Sequence, residues 1–229
     1  MAGARKSRHS KHGRSKRERY GQRSVATRSP LPIVVIVCDD TVTAPAYFAE
    51  LHRLRKQHVT LRVVPASHKG ASPPAVVDQA MSEHAELEKS AGDENDTNIV
   101  WAVLDLEREG NRRKQAETEK KRAEGGGVKV ALSNPCYEVW TLLHPEDTGE
   151  HFENCGKVLN RVKKAWKEGF GQAFGPKAQA DFSKIIDLRQ KAAKRAKQHQ
   201  QNDDPSWTEV YKITEDIEAI VQAAGAKYK

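Results

Sequence analysis

The 229-residue chain is short of cysteine, of long apolar runs and of nucleotide-binding motifs. Its three cysteines, Cys38, Cys136 and Cys155, show no C-x-x-C spacing, which excludes a disulfide framework and a standard structural zinc knuckle and favours a reducing cytoplasm. The longest apolar run, residues 31–38, is far too short to cross a bilayer, so a membrane-spanning protein is excluded. Neither GxxxxGK[ST] nor GxGxxG occurs, so no internal ATP or dinucleotide site is indicated.

The net charge of +8 is distributed unevenly along the chain. Residues 1–30 hold ten Lys and Arg against one acid, whereas residues 31–229 hold 29 basic and 30 acidic residues. The first segment has no apolar periodicity and no secretory apolar stretch, so we expect a disordered, unexported tail that either binds nucleic-acid phosphates or only aids solubility. The near-neutral remainder predicts no basic groove on the folded domain.

Apolar runs alternate with helical patterns in the first part of that domain. The β-branched run at residues 33–37 is typical of a strand buried on both faces. Repeated strand–helix units favour an α/β fold with a mostly parallel sheet, because parallel strands need helical crossovers. The predicted strands lie at 33–37, 61–64, 99–104 and 128–132, and the predicted helices at 45–57, 73–87 and 111–124.

The C-terminal third differs from this alternation, since helical patterns follow one another there without obvious strands. The predicted helices cover residues 134–143, 155–167, 177–198 and 206–224. Asn134-Pro135 reads as the start of the first of them, with Asn as the cap and Pro in the first turn. Glu138 then lies inside a largely buried helix, either as a site residue or as one half of a structural hydrogen-bonded pair.

Acidic residues follow the predicted strands at the edge where ligands bind in parallel sheets. The first strand is followed by Asp39 and Asp40, the third by Asp105 and Glu107, and the fourth, one helical turn further on, by Glu138. Crowded carboxylates repel one another unless a cation neutralises them, and Mg²⁺ or Mn²⁺ prefers such oxygen ligands. The pattern therefore predicts a metal site, although acids at strand ends also serve as helix caps or solvated loop residues.

Two other groups of residues are weaker candidates for chemistry. His144, His151 and Cys155 match no standard zinc spacing, so we interpret His144 as a core residue. Cys136 lacks an evident base and is interpreted as an inert buried thiol.

Residues 133–144, SNPCYEVWTLLH, closely resemble the N-P-C-[FY]-E-x-W-x-x-x-H segment of RloB-like proteins. Residues 38–48, with Cys, Thr, Pro and Tyr-Phe in order, are similar to that family's opening C-E-G-E-x-T-E-x-x-Y-F. Residues 195–196 and 202–210 resemble its C-terminal end. The resemblance spans about residues 33–220, nearly all of the chain except the basic tail.

This resemblance implies a Toprim-like α/β domain at residues 31–229 and a role in bacterial or archaeal defence against phage, commonly beside an ABC-type or AAA-type ATPase. It also implies a glutamate acid/base after the first strand and a D-x-D or D-x-E pair that holds Mg²⁺. Asp105 and Glu107 match the pair, and Glu138 matches the glutamate of the N-P-C segment. The first element departs from the family, because Asp39-Asp40-Thr41 replaces E-G-E and Ala44 replaces a later glutamate.

Two hypotheses follow. In the first, the protein is a Mg²⁺- or Mn²⁺-dependent nuclease of antiphage, abortive-infection defence, in which Asp105, Glu107 and Asp40 hold the metal and Asp39 or Asp40 transfers protons. In the second, it is a catalytically degenerate subunit that binds nucleic acid or an ATPase partner, which the Thr41 replacement favours.

Overall fold

The computed structural model describes residues 30–65, 72–90, 97–107, 111–175, 181–202 and 206–227. Strands and helices alternate in its first part and helices dominate its last. The strands are β1 (Ile33–Cys38), β2 (Thr60–Pro65), β3 (Ile99–Asp105), β4 (Lys129–Asn134) and β5 (Trp207–Thr208). The helices are α1 (Thr43–Arg55), α2 (Pro73–Ser90), α3 (Arg112–Gly125), α4 (Glu138–Leu142), α5 (Cys155–Phe170), α6 (Arg189–Gln201) and α7 (Val210–Lys227), with 3₁₀ turns at Phe182–Lys184 and Ile186–Leu188.

The strands form one sheet in the order β2-β1-β3-β4-β5. The first four strands are parallel, and β5 is added antiparallel to β4 at the edge. The chain leaves β1 for β2 on one side and later returns to add β3 on the other side of β1. The gap between the carboxyl ends of β1 and β3 is therefore a topological switch point, where open α/β sheets bind ligands.

Apolar side chains cover both faces of the sheet, as expected for central parallel strands. In β1, Val34 and Ile36 point into the core that contains α1 and α4–α7, whereas Val35 and Val37 point into the core formed with α2 and α3. All four side chains are completely buried. Because successive side chains of β1 enter opposite cores, the strand is held inside the sheet between β2 and β3. This packing fixes the position of the residues that follow β1.

The predicted α/β class with a mostly parallel sheet is confirmed. Each of the four predicted strands is present and extends the predicted run by one or two residues, and each of the three early helices is present with small shifts at its ends. Glycines end α3: Gly126 caps the helix, and Gly127 has a positive φ of 81° that favours glycine.

Three predictions for the C-terminal third were wrong. Asn134 ends β4 instead of starting a helix, because it pairs with Trp207, and α4 begins only at Glu138. Strand β5 was not expected at all. In the predicted helix 177–198, the described part begins with two 3₁₀ turns, because the Asp181 carboxylate accepts the Ser183 N–H and starts a separate turn, and the α-helix begins only at Arg189.

The predicted disordered tail lies outside the described residues, apart from Pro30. The compact unit that contains the sheet begins at Leu31. Within the described ranges, no helix is both long enough and apolar enough to cross a membrane.

Candidate functional site

Acidic side chains from β1, β3 and α4 meet at the carboxyl edge of the sheet. We call Asp39, Asp40, Asp105 and Glu138 the acidic rim. Asp39 and Asp40 follow β1, Asp105 is the last residue of the neighbouring strand β3, and Glu138 is the first residue of α4. The neighbouring charges raise the pKa values of three of these acids: Asp40 acts on Asp39 and Glu138, while Asp39 and Glu138 act on Asp105. The structure thus brings these four predicted acids to one edge of the sheet.

Asp39 is the most buried member of the rim, with 6% of its surface exposed. Its Oδ2 accepts a hydrogen bond of 2.6 Å from Nη2 of Arg112, the first residue of α3. Burial raises the pKa of Asp39 to about 6, since the neighbouring Arg112 offsets only part of the desolvation. This carboxyl is therefore poised to exchange a proton near neutral pH.

Asp105 lies between the other acids and is partly buried. Its Oδ1 accepts a 2.8 Å hydrogen bond from the backbone N–H of Tyr137. Burial raises its pKa well above the ordinary range, and the charges of Asp39 and Glu138 raise it further. A carboxylate in this position gains from a bound cation more than an isolated surface acid would, because the cation relieves both the desolvation and the repulsion.

Glu138 faces the rim from the start of α4. Its Oε1 accepts a hydrogen bond of 3.3 Å from the Thr43 hydroxyl, which comes from the first residue of α1. Burial raises the pKa of Glu138; a hydrogen bond from Cys136 lowers it, and the charge of Asp40 raises it. The two alternatives for Glu138 thus coincide: it has a structural partner in Thr43, and it also belongs to the acidic rim.

Asp40 is engaged by the backbone of α1. Its Oδ1 accepts the Val42 N–H at 2.8 Å and its Oδ2 accepts the Ala44 N–H at 2.7 Å. These N–H groups belong to the helix start, whose free donors a carboxylate satisfies well. Both oxygens of Asp40 therefore have a capping role, which competes with the predicted roles in metal binding and proton transfer.

Glu107 is the most exposed of the five predicted acids. Its side chain is 52% exposed, and its Oε2 is 3.8 Å from Nε of Arg112. Its backbone has φ of 35°, in the left-handed region that side chains other than glycine rarely adopt, and its N–H donates to the Pro135 carbonyl at 3.0 Å. The chain therefore turns sharply after β3, and Glu107 shares Arg112 with Asp39.

The Cys136 thiol is buried beside the rim, and Cys155 packs against the same core. Hydrogen bonding to Cys155, together with burial, raises the pKa of Cys136 well above that of a free thiol. Both cysteines are unoxidised. A protonated buried thiol is a poor nucleophile, which agrees with the interpretation of Cys136 as inert.

His144 belongs to the core and not to a zinc site. It is 1% exposed; its Nδ1 donates to the Trp140 carbonyl at 2.9 Å, and its Nε2 accepts from the Tyr47 hydroxyl at 3.3 Å. Burial lowers the pKa of His144 to about 3, so the imidazole is neutral at physiological pH. Both ring nitrogens are used by the core, as the sequence interpretation expected.

The acidic rim offers a divalent cation oxygen donors but no closed cage. Among the described residues, no group of three or more His, Cys, Asp or Glu side chains is arranged as a ready-made metal cage. Mg²⁺ does not need one, since it is commonly held by one or two carboxylates, water and substrate phosphates. Asp105 and Glu138 fit that mode in donor chemistry, because each is a charge-crowded carboxylate with one oxygen outside its backbone or hydroxyl bond.

Arg112 is the functional candidate that the sequence did not indicate. Besides binding Asp39, its Nε donates to the Asp105 carbonyl at 3.3 Å, so it joins the ends of β1 and β3. In the sequence it is one basic residue among many in a charged helix. Its position as the first residue of the helix after β3 was the signal that could have identified it.

The three segments that carried the family resemblance meet in the structure. Tyr47 of α1 packs edge-on against Trp140 and hydrogen-bonds His144, both from residues 133–144. Arg195 of α6 donates to the carbonyls of Leu143 and His144 at 2.7 and 2.9 Å. The family model described as RloB-like protein matches residues 34–217. The chain belongs to the RloB-like family.

No curated protein and no solved structure matches this RloB-like protein. Its family segment performs two structural tasks at the rim. Ser133 and Asn134 complete β4 beside β3, and Tyr137 and Glu138 supply a backbone donor and a carboxylate to the site. The segment therefore connects the aromatic core behind the sheet edge to the acidic rim in front of it.

Proposed function

We propose that this RloB-like protein is a phosphodiester hydrolase, a Toprim-like nuclease that acts with Mg²⁺ or Mn²⁺ at the acidic rim. The observation that supports the proposal most is the convergence of Asp39, Asp105 and Glu138 at the switch point between β1 and β3, with Arg112 as a neighbouring cation. Repelling carboxylates at a ligand-binding edge are a costly arrangement that a cation would relieve.

In this proposal, Asp105 and Glu138 hold the metal, and the bound ion would activate water and stabilise charge on a phosphoryl group. Asp39 is a better proton carrier than Asp40, because its pKa is about 6, whereas both oxygens of Asp40 accept backbone N–H groups of the start of α1. Arg112 holds Asp39 in place.

The biological role proposed for this nuclease is antiphage defence in the cytoplasm, beside an ABC-type or AAA-type ATPase. Its support is the family itself, through residues 34–217 and the N-P-C segment. The substrate class proposed is DNA or RNA, since a hard cation between carboxylates suits phosphate oxygens.

The second candidate function is a non-catalytic subunit that binds nucleic acid or the ATPase. Two observations favour it. Asp40 is occupied in capping α1, and Glu107 pairs with Arg112, so two of the three acids first predicted as ligands have other partners.

A hydrolysis assay separates the two functions. Purified protein is incubated with single- and double-stranded DNA and RNA in Mg²⁺, in Mn²⁺ or in EDTA. We expect hydrolysis that EDTA abolishes and that Asp105→Asn reduces by at least about a hundredfold, because the substitution removes the central charged ligand. Glu150→Gln, which alters an exposed carboxylate in the loop after α4, serves as the matched control and should keep wild-type activity.

Binding of Mn²⁺, followed by electron paramagnetic resonance, gives a second readout that does not depend on turnover. Asp105→Asn should weaken Mn²⁺ binding, while Glu150→Gln should not. Hydrolysis that Asp105→Asn leaves unchanged would assign the activity to another site or a contaminant. A wild type that hydrolyses none of the substrates would favour the non-catalytic subunit.

A further inference from the structure

The solvent face of α5 is a row of lysines. Helix α5 is strongly amphipathic: Val158, Val162, Ala165 and Trp166 are buried in the core, and the opposite face is exposed. Four exposed lysines occupy that opposite face, at the helical spacing that places them along one side: Lys157, Lys163, Lys164 and Lys167. The face therefore presents a line of positive charge to solvent.

This charge is largely uncompensated. Among the described residues, Lys157, Lys163 and Lys167 have no ion-pair partner, and Lys164 has only Glu168 at 4.0 Å. The fifth basic residue of the helix, Arg161, is paired with Glu146. Helix α3 differs, since three of its basic residues, Arg113, Lys120 and Arg122, pair with acids of the same helix. A solvent-exposed helix face needs polar side chains, but it does not need all of its charges to be positive.

The helix also begins at the acidic rim. Its first residue, Cys155, packs against the core that contains Cys136, two residues before Glu138, and α5 packs against α4, which carries Glu138. From there the lysine row extends away from the rim, and Lys157 and Lys167 are about 15 Å apart along the helix at 1.5 Å per residue. A negatively charged chain lying on this face would have one end near the start of α5, the end of the helix that packs toward the acidic rim.

We propose that the Lys157–Lys167 face of α5 binds the phosphodiester backbone of a nucleic acid and leads it to the acidic rim. This inference rests on the proposed function, whose substrate it positions. Lysine side chains contact phosphates as point charges without reading sequence, so the face contributes affinity and direction and no base preference. An anionic membrane suits the face less well, because the apolar residues of α5 are buried in the core and cannot insert into lipid.

The test uses the full chain with all four lysines changed, K157Q/K163Q/K164Q/K167Q. Binding to short fluorescein-labelled single-stranded DNA, single-stranded RNA and duplex DNA is measured by anisotropy in EDTA over a NaCl series, so that no hydrolysis occurs. We expect affinity to fall by about tenfold or more and the slope of log affinity against log salt to flatten by roughly three, since each phosphate contact contributes about 0.7–0.9.

The matched control changes four exposed lysines from other helices and turns, K56Q/K89Q/K114Q/K121Q, which alters the net charge equally. It should bind nearly as the wild type does. Equal losses of affinity in the two variants would mean that only the net charge of the protein matters, which would overturn the inference. Wild-type affinity in the α5 variant would overturn it as well. Binding to phosphatidylserine vesicles that is lost in the α5 variant while nucleic-acid binding persists would assign the face to a membrane instead.

The two proposals fail separately. If the α5 variant binds normally while Asp105→Asn abolishes hydrolysis, the nuclease stands and the α5 path is wrong. If the α5 variant binds weakly but no hydrolysis depends on Asp105, the binding face stands and the catalytic function is wrong.

Discussion

At the scale of single residues, the most informative side chains are buried groups whose ionisation differs from that of the free amino acid. Asp39 is held by Arg112 at the rim, whereas His144 is held neutral in the core behind it. The sequence identified the residue types at both places. It could not identify Arg112 as the partner of Asp39, because the two residues are 73 positions apart and meet only when β1 pairs with β3.

His144 should make the protein less stable in acid. Its pKa is about 3 in the folded chain and about 6.5 when unfolded, so below pH 6.5 the unfolded chain binds a proton that the folded chain does not. The free energy of unfolding therefore decreases as the pH is lowered from about 6.5 toward the folded-state pKa of about 3. Above about pH 6.5, His144 contributes no pH dependence. Relative to His144→Gln, the wild type should lose about 2 kcal/mol between about pH 8 and about pH 5.

Urea unfolding followed by tryptophan fluorescence at a series of pH values measures this difference. His151→Gln, at an exposed histidine, is the control and should change with pH as the wild type does. Parallel curves for the wild type and His144→Gln would show that the buried imidazole is not held neutral.

At the scale of elements, sequence patterns predicted strands and crossover helices well and the C-terminal third poorly. The apolar run at residues 33–37 was sufficient to predict β1, because a short run in which every consecutive side chain is buried is typical of a strand between two cores. Strand β5 has two residues and exists through its pairing with Ser133 and Asn134, which no local pattern reveals. The same pairing keeps Asn134 in β4 despite a sequence that resembles a helix cap.

Glu107 provides a prediction at this scale, because the turn after β3 holds a residue other than glycine at positive φ. Glu107→Gly should be more stable than Glu107→Ala by about 1 kcal/mol, since glycine adopts this conformation without the Cβ clash. The same two changes at Glu117, within α3, should give the opposite order, since glycine costs about 1 kcal/mol relative to alanine inside a helix.

Urea unfolding in EDTA measures all four variants. An alanine variant at residue 107 as stable as the glycine variant would mean that the turn is not strained. In the hydrolysis assay, Glu107→Gly should keep most of the wild-type activity if Glu107 is no ligand, whereas a loss like that of Asp105→Asn would restore it to the metal site.

At the scale of the whole molecule, the near-neutral sum of residues 31–229 conceals a second charge division. Residues 155–202 contain twelve basic and three acidic residues, which leaves the rest of that domain strongly acidic. The prediction that the folded domain has no basic groove does not extend to single helix faces, and α5 presents a basic one. Summing charge over a domain removes the information that α5 provides, and only the assignment of the lysines to one exposed helix face recovers it.

The basic tail should add to nucleic-acid binding independently of α5. Residues 1–30 carry ten basic residues and one acid, and a segment of this composition attracts phosphates through its charge. Deleting it should weaken binding and flatten the salt dependence by the same amount in the wild type and in the K157Q/K163Q/K164Q/K167Q chain, because separate contacts contribute additively. Anisotropy over a NaCl series measures both effects.

The hydrolysis assay then shows whether the tail affects only nucleic-acid binding or also the rate of hydrolysis. At saturating substrate the deletion should leave the rate unchanged, because the acidic rim and its partners all lie within residues 39–138. An unaltered salt slope would make the tail a solvated segment with no part in binding. A deletion that flattens the slope in the wild type but not in the α5 variant would mean that the two basic segments hold the same phosphates, and that the strand reaches the rim along a single path.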